Sequence, residues 1–357
     1  MKKQRYRKFI LNLITVMILS LAVFFVFRKD YRTIIECLKQ VSVFGVLLLL
    51  ILDLCYQLLD SAARCVLVRT YLPSFRIRQA SGITFLGIFG NVSTCSAGII
   101  PMQSYYLYQY GVPAGVSIGM LILIYVFHKI TVFLYAAVMM VMHGSWIRET
   151  LPELAKYINL GFLVCSLIVI ALILICTWEA MQKFGILAIE RLPDTDRWRG
   201  KKETWHQNLE SLYRESRKLL KNHTCCLKLI FVDILKLSCL YMIPFWCIRI
   251  LGLSEIGFWE AQALSAVMVL ISGVLPNVSG MGPIELAFMQ LFSVCIGRVE
   301  ATAALILYRV VTYFFPFLIS IIVFFHIEKK VTGGTMRNRG SGKRKKERNV
   351  EGENRSY

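Results

Sequence analysis

Pro276-Asn277-Val278-Ser279-Gly280-Met281-Gly282-Pro283-Ile284-Glu285 is a glycine- and proline-broken stretch with a carboxylate, set inside sequence apolar enough for a membrane. Proline and glycine interrupt a helix, and non-helical backbone at membrane depth survives only where protein buries it or it lines a cavity. A carboxylate there is expensive unless something pairs with it. A second stretch of the same kind lies upstream, Asn91-Val92-Ser93-Thr94-Cys95-Ser96-Ala97-Gly98-Ile99-Ile100-Pro101. Two interrupted apolar segments in corresponding places of two halves point to a transport-type site.

The sequence around them is a membrane sequence. Of 357 residues 56% are apolar, and the mean hydropathy is +0.58. Runs at 9–27, 43–63, 114–142, 158–177, 227–250 and 303–327 approach or exceed the roughly 20 residues that cross a bilayer core. The first follows Lys2, Lys3, Arg5, Arg7 and Lys8 and has no small-residue cleavage site before Arg28, so it reads as a retained anchor. The formal net charge of +19 gathers at the N-terminus, at Arg64–Arg78, in the loop 178–226 and in the tail. Because these charges flank apolar spans, they follow the positive-inside pattern rather than that of a nucleic-acid binder. Eleven cysteines fall mostly within apolar runs with no CxxC pair, and the five histidines have no ligand spacing. That argues against structural zinc or a disulfide framework, and no metal or other cofactor is expected.

Parity then orders the chain. With the N-terminus and the loop 178–226 on the cytoplasmic side, segment 80–100 must enter and leave by one face, as a hairpin broken at Asn91–Gly98. By the same count segment 259–297 enters from the other face, broken at Pro276–Pro283. The expected fold is an all-α polytopic membrane protein with about six spanning helices and two broken re-entrant hairpins in an inverted repeat. Its integral domain covers 1–332, in halves of about 1–177 and 227–327. The tail 333–357 is too polar to pack and is expected to be disordered. The loop 178–226 is expected to hold a helix near Glu203–Leu220 lying on the membrane surface.

Polar residues at membrane depth are the candidate site. Asp53, Gln57, Asp60 and Arg64 follow one another at i, i+4, i+7 and i+11, one face of the second span. That face either lines a wet path or packs with its charges paired internally. Asp233 and Lys236, at i and i+3, can neutralise each other. Lys129 and Arg309 follow the two breaks in corresponding positions, with Glu285 or a lipid phosphate as a suitable partner. His128 reads as a satisfied interior residue. Small residues at the breaks, Ser279, Gly280 and Gly282 among them, permit close backbone approach. Half-helix N-termini placed there would favour an anion.

Three strings carry a resemblance: Ala97-Gly98-x-x-Pro101-Met102-Gln103-Ser104-Tyr105-Tyr106-Leu107, then Ser279-Gly280-x-Gly282-x-x-Glu285-x-x-Phe288-x-x-x-Phe292, and Ala303-Ala304-Leu305-x-x-Tyr308-Arg309-x-x-Thr312-Tyr313-x-x-Pro316. Over residues 9–327 the chain resembles the flippase-like membrane domain of lysylphosphatidylglycerol synthases, the N-terminal half of the multiple peptide resistance factor. Where that family commonly has Gly-Gln, this chain has Ile99-Ile100, which implies a less polar first hairpin. The resemblance implies a bacterial plasma-membrane protein, with both termini cytoplasmic, that moves lysylphosphatidylglycerol or a related polar lipid between leaflets. An anionic or aminoacylated phospholipid would contact Glu285, Arg309, Lys129, Asp53, Asp60, Gln57, Gln103, Ser279, Gly280 and Gly282, with no residue acting catalytically. In the family, lysine transfer from lysyl-tRNA belongs to a separate soluble C-terminal domain. The roughly 30 residues after the last span are expected to be too few for one, since small domains need ~50. A phosphatidylglycerol lysyltransferase that uses lysyl-tRNA and a non-catalytic envelope scaffold are the alternatives, and an oligomer is left open.

Overall fold

The computed structural model describes residues 41–94, 96–191, 196–275 and 280–329, with Glu36, Leu38 and Lys39. The expected first span at 9–27, the tail 333–357 and Pro276–Ser279 lie outside the described residues. What is described is helical, in the order α1 (Val43–Val68), α2 (Ile77–Ser93), α3 (Ile99–Tyr108), α4 (Ala114–Thr150), α5 (Pro152–Thr177), α6 (Glu179–Glu190), α7 (Asp196–Leu220), α8 (His223–Ile250), α9 (Phe258–Ser272), α10 (Pro283–Ile296) and α11 (Arg298–Arg309). A π-helical turn, Val310–Phe314, continues α11, and the whole apolar helix runs Arg298–Lys329. Among the described residues four helices are long and apolar enough to cross a membrane: α1, α4, α5 and Arg298–Lys329. The expected crossing at 227–250 falls within α8, whose 28 residues sit at the centre of the bundle along α1.

Local chemistry sets the boundaries. Ser42 opens α1 by accepting a bond from the Gly45 amide at 3.0 Å, and Asn222 opens α8 by accepting from Cys225 N at 3.1 Å. Such caps satisfy amides that have no partner within the helix. α4 outruns its expected end at 142 by two turns, because nothing stops it until the residue before Pro152. A residue that precedes proline is driven out of the helical region, and Leu151 has ψ 54.

α1 and α8 run antiparallel. Gly45 lies against Ile250 at one end, where an added Cβ would meet the isoleucine at 2.9 Å, and Asp60 reaches Lys236 further along. α2 follows the Val68 end of α1, while α9 follows the Ile250 end of α8, beside Gly45. The two broken hairpins, α2–α3 and α9–α10, therefore start from opposite ends of this central pair. Their breaks meet inside the bundle. A Cβ on Gly280 would lie 3.2 Å from Asn91 Nδ2 and 3.6 Å from Tyr313 Cε2, and φ is +84° there. Only glycine adopts that backbone cheaply and leaves room for Asn91.

The basic loop differs from its expected form. It holds two helices, α6 and, over the stretch expected to be helical, the longer α7. α7 packs against the start of α4, burying Ser211, Leu212, Glu215, Ser216 and Leu219. Gly115 and Gly119, four apart on α4, make the close approach feasible, since a Cβ at Gly119 would stand 3.0 Å from the Ser211 carbonyl. Ser216 Oγ donates to the Cys176 carbonyl at 2.6 Å, so α7 also ties down the end of α5.

Candidate functional site

The α1 stripe packs inward. Asp53 is 1%, Gln57 6% and Asp60 8% exposed. Across from it α8 brings Lys236 and Asp233, and α4 brings His128. Together they form a continuous chain of charge: Arg64 to Asp60 at 2.8 Å, Asp60 to Lys236 Nζ at 3.3 Å, Lys236 to Asp233, and Asp233 to His128 Nδ1 at 3.1 Å. Thr84 of α2 donates to Asp60 at 3.2 Å and accepts from Arg64 Nε at 3.1 Å. Buried charges persist only when partners on several elements hold them. The i, i+3 pair Asp233 and Lys236 does neutralise itself, but Lys236 also reaches Asp60, 176 residues away in sequence.

Arg64, Asp60, Lys236 and His128 of this chain form one wall of a cavity of about 590 Å³, with Asp233 behind them. The opposite wall is the break of the first hairpin, with Asn91, Ser96 and Ala97, and Gln103 and the π-turn residue Tyr313 also face the space. Ile88, Val92, Leu121, Ile124 and Pro316 supply its apolar lining. Its size falls in the ordinary range for small-molecule and cofactor sites. α3 starts at this wall from Gly98 with no side-chain cap, and Ile99 and Ile100 border the cavity. The unpaired amides of a first helical turn favour an anion. Gln103, 3% exposed, is pinned by its Nε2 bond to the Ile83 carbonyl at 3.0 Å.

The second hairpin is held by its own residues. Glu285 Oε2 accepts from the Gly282 amide at 2.7 Å, so a carboxylate of the chain already occupies the N-terminus of α10. Arg309 pairs with Glu285 at 2.6 Å and donates to the Gly280 carbonyl at 3.1 Å. Lys129 Nζ donates to the Gly273 carbonyl at 3.3 Å, at the negative end of α9. The two cations that follow the breaks in sequence therefore both serve the second break. Neither lines the cavity, nor does Glu285 or Asp53. Ser279 lies outside the described residues.

Of the residues marked out in the sequence, Asp60, Gln57 and Gln103 face the cavity, and Glu285, Arg309, Gly280 and Gly282 form the hairpin clamp with Lys129 behind it. Sequence reasoning passed over Lys236, His128 and Thr84 as cavity-wall groups, because Asp60 for Lys236 and Thr84, and Asp233 for His128, are brought by other helices. The lysine's position at mid-span, too deep to reach an interface, was the one available signal.

A family model described as "Lysylphosphatidylglycerol synthase TM region" matches residues 12–320. No curated protein matches the chain.

Proposed function

The chain belongs to the lysylphosphatidylglycerol synthase TM region family, and from that premise we propose that it is a lipid translocase. Its substrate is lysylphosphatidylglycerol or a related polar phospholipid, whose headgroup enters the cavity beside the first hairpin. The observation that carries this reading is a wall of alternating sign, Arg64, Asp60 and Lys236, largely shielded yet open to a cavity of about 590 Å³, with Asp233 holding Lys236 from behind. An aminoacylated glycerophospholipid presents a phosphodiester anion and ammonium groups a few bonds apart. The phosphate suits Arg64, Lys236 and the uncapped start of α3, while an ammonium suits Asp60. Gln57 and Gln103 add neutral hydrogen bonds, and the apolar lining suits the first carbons of the acyl chains.

In this reading Glu285, Arg309, Lys129, Gly280 and Gly282 fix the second hairpin tip against Asn91, and they reach a headgroup only when that tip moves. Translocation is then relative movement of two hairpins that start from opposite ends of the α1–α8 pair. In this reading the membrane is a bacterial plasma membrane, and the charge distribution supports an orientation with the basic loop and both termini cytoplasmic.

The test is a liposome assay with a labelled lysyl lipid and membrane-impermeant dithionite. Purified protein should raise the fraction of label bleached beyond the outer leaflet, and bleaching equal to that of empty liposomes would remove the proposal. Mass spectrometry of co-purifying lipids should find a polar phospholipid retained by the wild type and depleted in Lys236→Met.

A further inference from the structure

One turn deeper than the cavity wall, a carboxyl has no cation. Asp53 is 1% exposed on α1, and its Oδ1 accepts from Gln57 Nε2 at 3.4 Å. Its Oδ2 is buried without a hydrogen-bond partner. The described cations nearby are committed elsewhere: Arg64 and Lys236 to Asp60 and Asp233, Arg309 to Glu285. A charge on Asp53 would be felt by Tyr56 of α1 and Tyr308 of α11, both phenols. α8 adds Asp233, Lys236 and Tyr241, and α4 adds His128 and Tyr135, which donates to Gln262 at 3.1 Å. α2 contributes Thr84 but no titratable side chain.

A carboxylate in this setting has one weak amide donor for two charged oxygens, and an isolated ion at membrane depth costs several kcal/mol. A proton on Oδ2 removes that cost and turns the orphaned acceptor into a donor. Gln57 is the link to the outside, because the same side chain that holds Asp53 also borders the cavity.

We propose that Asp53 is a proton-binding site linked to the cavity through Gln57. With the cavity as described, Asp53 holds its proton. When a headgroup in the cavity draws the Gln57 amide away, water reaches the carboxyl. The O–H bond then breaks, its electron pair stays on the carboxylate, and the proton passes to that water. The linkage rests on the headgroup reading of the cavity, whereas the proton itself does not.

The experiment is infrared difference spectroscopy on the full chain in lipid nanodiscs, wild type against Asp53→Asn, in water and in heavy water. The wild type should show a protonated-carboxyl carbonyl band that shifts on deuteration and is lost in Asp53→Asn. Asp53→Glu, which keeps the acid, should move the band rather than abolish it, and it serves if the asparagine variant fails to fold. Carboxyl regions that are identical in all three proteins would overturn the proposal. In liposomes, lipid exchange by the wild type should shift luminal pH, and the shift should be lost in Asp53→Asn. Lipid exchange with no pH shift would overturn the linkage. No lipid exchange, with the infrared band intact, would remove the headgroup reading and the linkage but leave the proton on Asp53. Absence of the band removes the proton whatever the lipids do.

Discussion

Lys236 is 2% exposed and is shared by Asp60 and Asp233, two carboxylates brought by different helices. Removing the ammonium would leave Asp60 with Arg64 and Asp233 with His128, so each buried acid loses a charge that holds it. Breaking one partner out of a buried ion pair costs about 3–5 kcal/mol. Lys236→Met should therefore lower the thermal-unfolding midpoint in detergent sharply. Adding Asp233→Asn to it should recover part of the loss, because the acid left with only an imidazole goes with it. A melt for Lys236→Met within a degree or so of wild type would mean that water, not the lysine, already solvates the acids. Lys236→Arg separates charge from shape. The planar guanidinium keeps the charge but cannot sit between two carboxylates as a compact ammonium does. It should melt between wild type and Lys236→Met.

At the scale of the element, the two hairpins are not equivalent. α10 begins at Gly282, which has φ +105°, and Glu285 caps it while pairing with Arg309. α3 begins with no side-chain cap at the cavity edge. Glu285→Gln keeps an oxygen for the Gly282 amide and loses the ion pair, whereas Glu285→Ala loses the cap as well. Losing a cap costs about 1 kcal/mol. The alanine variant should thus melt below the glutamine variant. Lipid bound per folded molecule, read by mass spectrometry, should change less in Glu285→Gln than in Lys236→Met. The reverse order would place Glu285 at the headgroup after all. Both breaks were legible in sequence, because glycine and proline act through their own backbone. The clamp was legible only in part. Glu285 or a lipid phosphate was the partner expected for Arg309 and Lys129 alike; Arg309 takes Glu285, while the acceptor of Lys129 is the backbone carbonyl of Gly273, and a carbonyl leaves no trace in residue type. Packing of α7 on α4 was missed for a related reason. Gly115 and Gly119 are ordinary small residues until Ser211 is brought against them.

At the scale of the whole molecule, the helix ends sort into two groups. The end of α1 and the starts of α4 and α8 gather around α7, where Leu67, Met120, Glu215 and Asn222 border one small cavity, and Ser216 reaches the end of α5 at Cys176. The turn between α8 and α9, with Glu255 exposed, lies at the other end of the α1–α8 pair. Parity counted from charge alone requires the same sorting. Lipid bilayers retain loops rich in lysine and arginine on the cytoplasmic side, so the α7 end should face the cytoplasm. In a cysteine-free background, Glu255→Cys on intact cells should react with a membrane-impermeant thiol reagent. Arg191→Cys, exposed at the end of α6, should react only after the cells are opened. Labelling of Arg191→Cys on intact cells would invert the molecule, so that the hairpin with the uncapped helix start would enter from outside and the Arg309 clamp from within. The fold would survive that result, since the relative placement of the helices does not depend on it. What would change is the leaflet from which a headgroup first meets Arg64 and Lys236, and with it the direction of transport that the geometry favours.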